Sequence, residues 1–279
     1  MARAFHHRGD GWADLSGPES AFVRRLANFA LLEPSDRDAL SAILSRPVGF
    51  PINGDLVVEG VPTTSNYVIE RGWACSYKLL RDGRRQILGF LLPGDYTAEA
   101  EVVSGCPTCS VLALTPVLAR PCQIAGLGAL REGSARFRQA LDRALQLDIA
   151  TLRDHLVNIG RRNAYQRLAY LILELHFRLR LVGLADEAAF DMPITQEMVA
   201  DALGLSNVHV NRTLRRLSDD SIACLTGGRL TIGDWEALVG IADFHETYLG
   251  QFAKEQRVDG PAAEERQEPL YRPFPSMFA

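Results

Sequence analysis

The sequence contains no apolar run of about 18 residues, the length a membrane-crossing helix needs. Its first residues, among them Arg3, His6, His7, Arg8 and Asp10, lack the apolar stretch of a secretory signal peptide, so a cytoplasmic protein with no membrane partner is expected. Surplus basic charge is missing too. With a formal net charge of −4 and a pI near 5.9, the chain exerts no global attraction on nucleic acid, and any DNA binding has to be local. The five cysteines, Cys75, Cys106, Cys109, Cys122 and Cys224, form an odd set, which argues against a structural disulfide framework. Catalytic signatures are also wanting: there is no Ser-His-Asp order, no Gly-rich phosphate loop and no His-Glu zinc helix, and Glu99 and His155 have no evident catalytic partners. An enzyme is not expected.

What is present is globular material. Hydrophobic residues make up 47% and charged residues 23%, and 279 residues suffice for two cores with connecting and terminal segments. Residues 1–20 show little periodicity and read as a mobile N-terminus. Apolar periodicity fades again after Leu249, where Gly260, Pro261, Pro269, Pro273 and Pro275 make 249–279 a disordered tail.

Residues 21–132 read as a first domain. Phe22, Leu26 and Phe29 sit at helical spacing, and Ser35 with Asp38 resembles a capping box ahead of Leu40, Ile43 and Leu44. From Phe50 onward, Gly54, Gly60, Gly72, Gly83 and Gly94 divide short segments rich in Val, Ile, Tyr, Trp and Leu, the pattern of strands joined by tight turns. A hairpin is expected from Trp73–Leu80 and Gln86–Leu92, with Asp82-Gly83 supplying positive φ angles at its turn. Another strand is expected from Ser110 to Thr115, and Pro116 and Pro121 should limit further pairing. Together these segments suit a small antiparallel roll or barrel.

Over 133–160 the period becomes helical. Phe137, Leu141, Leu145, Ile149, Leu152, Leu156 and Ile159 form a narrow apolar stripe, which suits a helix pairing with its own copy in a homodimer. The alternative is that the stripe packs on the roll. Gly160 and Arg161-Arg162 mark a hinge into 161–248, which opens with an apolar helix from Ala164 to Leu181.

The most informative segment follows. Thr195 is a good N-cap for a helix that buries Met198, Val199, Ala202 and Leu203. Gly204 ends it, Leu205 plugs the corner, and Ser206 caps a second helix carrying Val210, Thr213, Leu214 and Leu217. That is a helix-turn-helix, and Leu225–Ile232 with Gly227-Gly228 reads as a two-stranded wing. On the second helix Asn207, His209, Asn211, Arg212, Arg215 and Arg216 are polar or basic, and no acid intervenes before Asp219. Arg grips guanine O6 and N7, and Asn pairs with adenine, so Arg212 is the expected main base reader, assisted by Asn207, His209 and Asn211. Thr195 and Gln196, at a helix start, suit phosphate. The alternative for Arg215 and Arg216 is a solvated face balancing Asp219 and Asp220. An alternative for the whole chain is a redox or small-ligand sensor whose helix-turn-helix serves protein contacts.

In the order of its parts the chain resembles the Crp/Fnr family of bacterial transcription regulators. Asn53-Gly54-Asp55, Glu59-Gly60-Val61-Pro62, Tyr67-Val68-Ile69, Gly72, Asp82-Gly83-Arg84 and Pro93-Gly94-Asp95 match the family's β-roll signature. Thr195-Gln196-Glu197, Ala200-Asp201, Leu203-Gly204-Leu205-Ser206 and His209-Val210-Asn211-Arg212 resemble its DNA-binding motif. The resemblance implies an α+β protein with a cyclic-nucleotide-binding-like β-roll (jelly roll), a long dimerisation helix and a C-terminal winged helix-turn-helix. It implies a dimer on near-palindromic double-stranded DNA, with RNA polymerase as a further partner. Ser206, Asn207, His209, Asn211 and Arg212 lie where the family reads bases, but Asn207 and Val208 replace the Arg and Glu of cyclic-AMP-responsive members.

The effector is unknown. Cyclic-AMP-binding members hold the ribose with a Gly-Glu pair and the phosphate with an Arg-Ser pair; here Ala98-Glu99 lacks the Gly, and Pro107-Thr108-Cys109-Ser110 offers no Arg. Without that cation a buried phosphate forfeits about 1.5–3 kcal/mol, so cyclic AMP is not expected. The family's iron-sulfur branch uses cysteines near the N-terminus, and none precedes Cys75, while His155 and His176 read as packing or surface residues rather than haem ligands. Cys106 and Cys109 have the spacing of a redox pair or of two metal ligands; the alternatives are inert thiols, a thiol switch or a metal, and no metal site is assigned.

Overall fold

The computed structural model describes residues 19–63, 65–97 and 106–244; the expected mobile N-terminus before Glu19, the Ala98-Glu99 pair and the expected tail lie outside them. Two helices lead in. Helix α1 (Ala21–Ala27) is capped by Ser20, whose hydroxyl accepts from the Phe22 N–H at 3.2 Å. Helix α2 (Pro34–Ile43) starts earlier than the Ser35–Asp38 box would place it: Pro34, with its φ already helical, takes the first turn, and the Glu33 N–H donates to the Asp36 carboxylate at 3.1 Å.

The roll consists of two sheets. One has the order β1 (Val48–Phe50), β7 (Val117–Gln123), β3 (Ser65–Arg71); the other runs β2 (Asp55–Val57), β6 (Ser110–Ala113), β4 (Ala74–Leu79), β5 (Arg85–Leu91). Leu56, Val57, Ile69, Leu91, Val111 and Val117 fill the space between them. Two expectations are corrected. Only Gly83 of the β4–β5 turn has positive φ (83°), because the Leu80 N–H bonds to the Arg84 carbonyl at 2.8 Å and closes a three-residue loop rather than a two-residue one. And Pro121 limits pairing on one side only: it lies within the central strand β7, opposite Tyr67, and the β3 ladder runs on to Gln123, while β1 pairs no further than Ala119. Its carbonyl accepts from the Ser45 N–H at 2.9 Å, so its missing N–H falls on the side where β1 has ended.

Helix α3 (Ile124–Gly133) leads into the 27-residue α4 (Ala135–Arg161), capped by Ser134. The apolar stripe divides along α4. Phe137 and Leu141 are buried within the chain's own core, beside Phe22 and Leu26 of α1, so the expectation that they face a second copy is amended. Leu145 and Ile159 are half-buried. Ile149, Leu152 and Leu156 stay open, 44%, 48% and 60% exposed, with Val157 next to them.

The backbone breaks at Arg162, and Asn163 caps α5 (Ala164–Leu181), its side chain accepting from the Tyr165 and Gln166 N–H groups at 3.0 and 3.1 Å. Leu168 to Leu175 are buried on nearly every side because α5 is clasped between the roll and the C-terminal domain. Trp73, Phe90, Leu92 and Leu114 of the roll join Leu168, Leu171, Ile172, Leu203, Val210 and Leu217 in one continuous apolar core.

A buried ionic cluster crosses the same joint. Arg25 of α1 meets Asp95 at 3.1 Å and also pairs with Asp148 of α4. Arg178 of α5 reaches Asp95 at 2.6 Å, Glu174 at 2.9 Å and the Phe90 carbonyl at 2.7 Å. The Leu92 N–H gives Asp95 a further bond at 2.7 Å. Gly94, at φ 94°, lets the Pro93-Gly94-Asp95 turn approach α1; a Cβ there would stand 2.9 Å from the Ala21 carbonyl oxygen. Burial pushes the Asp148 and Glu174 carboxyls up, against the pull of Arg25 and Arg178 on Asp148 and of Arg178 on Glu174.

Candidate nucleic-acid interface

Helix α6 (Gln196–Leu203) begins where the Thr195 hydroxyl accepts from the Met198 N–H at 3.2 Å and ends at the left-handed Gly204. Helix α7 (Asn207–Asp219) begins where the Ser206 hydroxyl accepts from the His209 N–H at 3.3 Å. Val210, Thr213 and Leu217 face inward; the Thr213 hydroxyl satisfies itself on the His209 carbonyl at 2.7 Å. Asn207, Val208, His209, Arg212, Arg215 and Arg216 face solvent. The wing starts two residues before its expected edge: β9 (Ala223–Thr226) turns at Gly227-Gly228 into β10 (Arg229–Ile232), and β8 (Ala189–Asp191) adds a third strand in the order β8-β10-β9. Helix α8 (Trp235–Ala242) closes the domain.

The expected site residues divide by what they touch. Among the described residues Arg212 and Arg215 have no hydrogen-bond or ion-pair partner, whereas Arg216 lies over the Tyr165 ring, 4.2 Å from its centroid, and pairs with Asp220 at 3.6 Å. Of Arg215 and Arg216, the latter therefore balances Asp220, and neither pairs with Asp219 among the described residues. Asn211 donates to the Gln196 side chain at 3.1 Å, so these two expected DNA contacts hold each other across the helix-turn-helix corner.

Other positioning groups escaped the sequence reading. Arg167 of α5 donates to the Leu203 carbonyl at 2.8 Å and to the Arg162 carbonyl at 2.8 Å, placing a cation at the negative C-terminal end of α6. From the roll, Arg85 reaches Asp201 of α6 at 2.8 Å, and Gln86 donates to the Ala202 carbonyl at 3.2 Å. Residues far apart in sequence make these contacts, and no local pattern signals them.

On the side of the roll, a cavity of about 540 Å³ lies between the roll, α4 and α5, with Ser76, Thr97, Thr108, Thr151 and His155 on its wall. The guanidiniums at its edge, Arg25 and Arg178, are already matched by Asp95, Asp148 and Glu174. Burial pushes the His155 imidazole down, and its Nε2 has no hydrogen-bond partner among the described residues. Cys106 and Cys109 are half-buried; Cys75 and Cys122 are buried, and burial pushes each of those thiols up to about 12. Hydrogen bonds from Thr226 and Ser218 hold the exposed Cys224 thiol below its ordinary value. No group of three or more His, Cys, Asp or Glu that could hold a metal ion occurs among the described residues. No helix among them is long and apolar enough to cross a membrane.

Residues 166–241 match the model of the Crp-like helix-turn-helix domain, and residues 50–121 that of the cyclic nucleotide-binding domain. The nitrogen fixation regulation protein FixK of Bradyrhizobium diazoefficiens is 34% identical over 187 residues, which cover 66% of this chain and 77% of that protein. The chain belongs to the Crp/Fnr family. The transcriptional activatory protein AadR of Rhodopseudomonas palustris, another Crp/Fnr relative, is 30% identical across 72% of this chain and 82% of its own length. The solved structure of FixK2 from Bradyrhizobium japonicum superposes with a TM-score of 0.63 at 25% identity, covering 71% of this chain and 96% of that one. As a Crp/Fnr protein the chain is a transcription regulator with a helix-turn-helix domain and not an enzyme, and its roll is of the cyclic-nucleotide-binding type.

Proposed function

We propose that the protein is a homodimeric, sequence-specific DNA-binding regulator that sets α7 of each copy into the major groove of a near-palindromic double-stranded site. The observation that carries this reading is the outward face of α7, where Arg212 and Arg215 stand unpaired among the described residues of an acidic chain. Local cationic groups of this kind supply what the net charge withholds. Arg212 is the main base reader, with Asn207, His209 and Arg215 beside it; Thr195, Gln196 and Ser206, at the two helix starts, stand near phosphate. Ile149, Leu152 and Leu156, alternately three and four residues apart on α4, form the seam between copies. Such a dimer presents its two recognition helices about one DNA turn apart and works in the cytoplasm with RNA polymerase.

Cyclic AMP is not the proposed effector. The Pro107–Ser110 segment carries no cation, and Arg25 and Arg178 are committed to carboxylates. Adding cyclic AMP is expected to leave DNA affinity unchanged. A second reading, a thiol switch at Cys106 and Cys109, draws on their partial exposure, unlike that of Cys75 and Cys122. It requires DNA affinity to differ with and without reductant. The main reading is tested by enriching sites from a random DNA pool with the purified protein: an inverted repeat is expected, and Arg212→Ala should weaken binding and relax one position in each half.

A further inference from the structure

The groove-facing side of α7 carries one residue that polar readout does not use. Positions 208, 211, 212 and 215 share that side, since residues three and four apart stack on one helix face. Asn211 is tied to Gln196, and Arg212 and Arg215 are cations without partners among the described residues. The fourth, Val208, is 74% exposed and packs in none of the apolar cores. It stands in the first turn of α7, the part of a recognition helix that meets base edges.

We propose that Val208 reads a thymine methyl group in each half-site; this rests on α7 being the groove helix. In the major groove the C5-methyl of thymine is the apolar feature that distinguishes one base pair from another, and an apolar side chain recognises it. The same face holds no carboxylate that would accept from cytosine N4, because no acid occurs from Asn207 to Ser218. Placement follows from helix geometry. Val208 and Arg212 are four residues apart, about 6 Å along an axis rising about 1.5 Å per residue, which is about two base steps of 3.4 Å. The methyl therefore lies within about two base pairs of the guanine that Arg212 takes. Its position, β-branched and free of packing, also makes Val208 replaceable without harm to the fold.

The experiment takes the enriched site and replaces each thymine in turn by deoxyuridine, which removes only the methyl, and measures affinity for the natural chain and for Val208→Ala. One position per half-site should lose about fourfold in the natural chain, the worth of one buried methyl, and about 15-fold when both halves are changed. Val208→Ala should bind the thymine site more weakly and lose nothing further with deoxyuridine. Deoxyuridine without effect at every position, or with the same effect in both proteins, overturns the assignment of Val208 while leaving DNA binding standing. A folded protein that enriches no sequence overturns the DNA reading and this inference together.

Discussion

Arg25 and Arg178 lie in a buried joint where the roll, α4 and α5 meet, each held against carboxylates, while Arg212 and Arg215 stand on the outward face of α7 without partners among the described residues. The same side chain serves opposite ends. In the joint, desolvation makes a guanidinium tolerable only with its counter-charges in place, so these arginines fix geometry. On α7 the guanidinium keeps its water and its freedom until a partner with matching acceptors arrives. Net charge hides this contrast: the acids that make the chain negative include Asp95, Asp148 and Glu174, which are spent inside.

The contrast is sharpest in Asp95→Ala, which takes from both buried guanidiniums the carboxylate they share and leaves Arg25 to Asp148 and Arg178 to Glu174. It should cost about 3–5 kcal/mol of stability in a denaturant titration, and a loss under 1 kcal/mol would mean that the joint is wet. The divided stripe on α4 comes next. Phe137→Ala should destabilise the chain by about 3–5 kcal/mol, whereas Leu156→Glu should leave the fold intact and shift sedimentation from dimer to monomer. Arg212→Ala should change stability by less than about 0.5 kcal/mol and cost about 1–3 kcal/mol of DNA affinity with relaxed preference at one base pair.

A smaller effect is expected from pH. Burial holds the imidazoles of His155 and His176 below their ordinary value of 6.5, so the folded chain binds fewer protons than the unfolded one as the medium turns acid. Their contribution to stability is present above the ordinary imidazole value and is lost as pH falls through it toward the lowered folded values. Replacing His155 by Gln should flatten that part of a stability-against-pH curve. Least of all, the half-screened Arg85–Asp201 pair should show a coupling of about 1 kcal/mol or less in a double-mutant cycle.

How much of this was readable beforehand follows the distance over which each feature is specified. The helix-turn-helix was legible because Thr195, Gly204 and Ser206 act on backbone groups within a few residues of themselves. The strands and turns of the roll were legible from glycine punctuation, although Gly83 alone could not reveal the loop size and Pro121 alone could not reveal that pairing stops on its β1 side and continues on its β3 side. The division of the α4 stripe was not legible. Phe137 and Leu156 obey one helical period, and the packing of α1, α2 and α3 around one half separates them. The ionic cluster was equally hidden, since Arg25 and Asp148 are 123 residues apart and Arg178 and Asp95 are 83 apart. On the outward face of α7, the tie of Asn211 to Gln196 crosses a corner that no local pattern signals, and Val208 is legible in the sequence only as a departure from the Glu of cyclic-AMP-responsive members.

The apolar core shared by Trp73, Phe90 and Leu114 with α5 and the helix-turn-helix bears on any attempt to divide the chain. The backbone break at Arg162 offers a natural place to cut, but the piece ending there would present those three side chains to water, and the piece beginning there would bare the flank of α5. Each half on its own should aggregate, and the two expressed together should recover a soluble particle. One apolar core spans what the sequence divides into two domains.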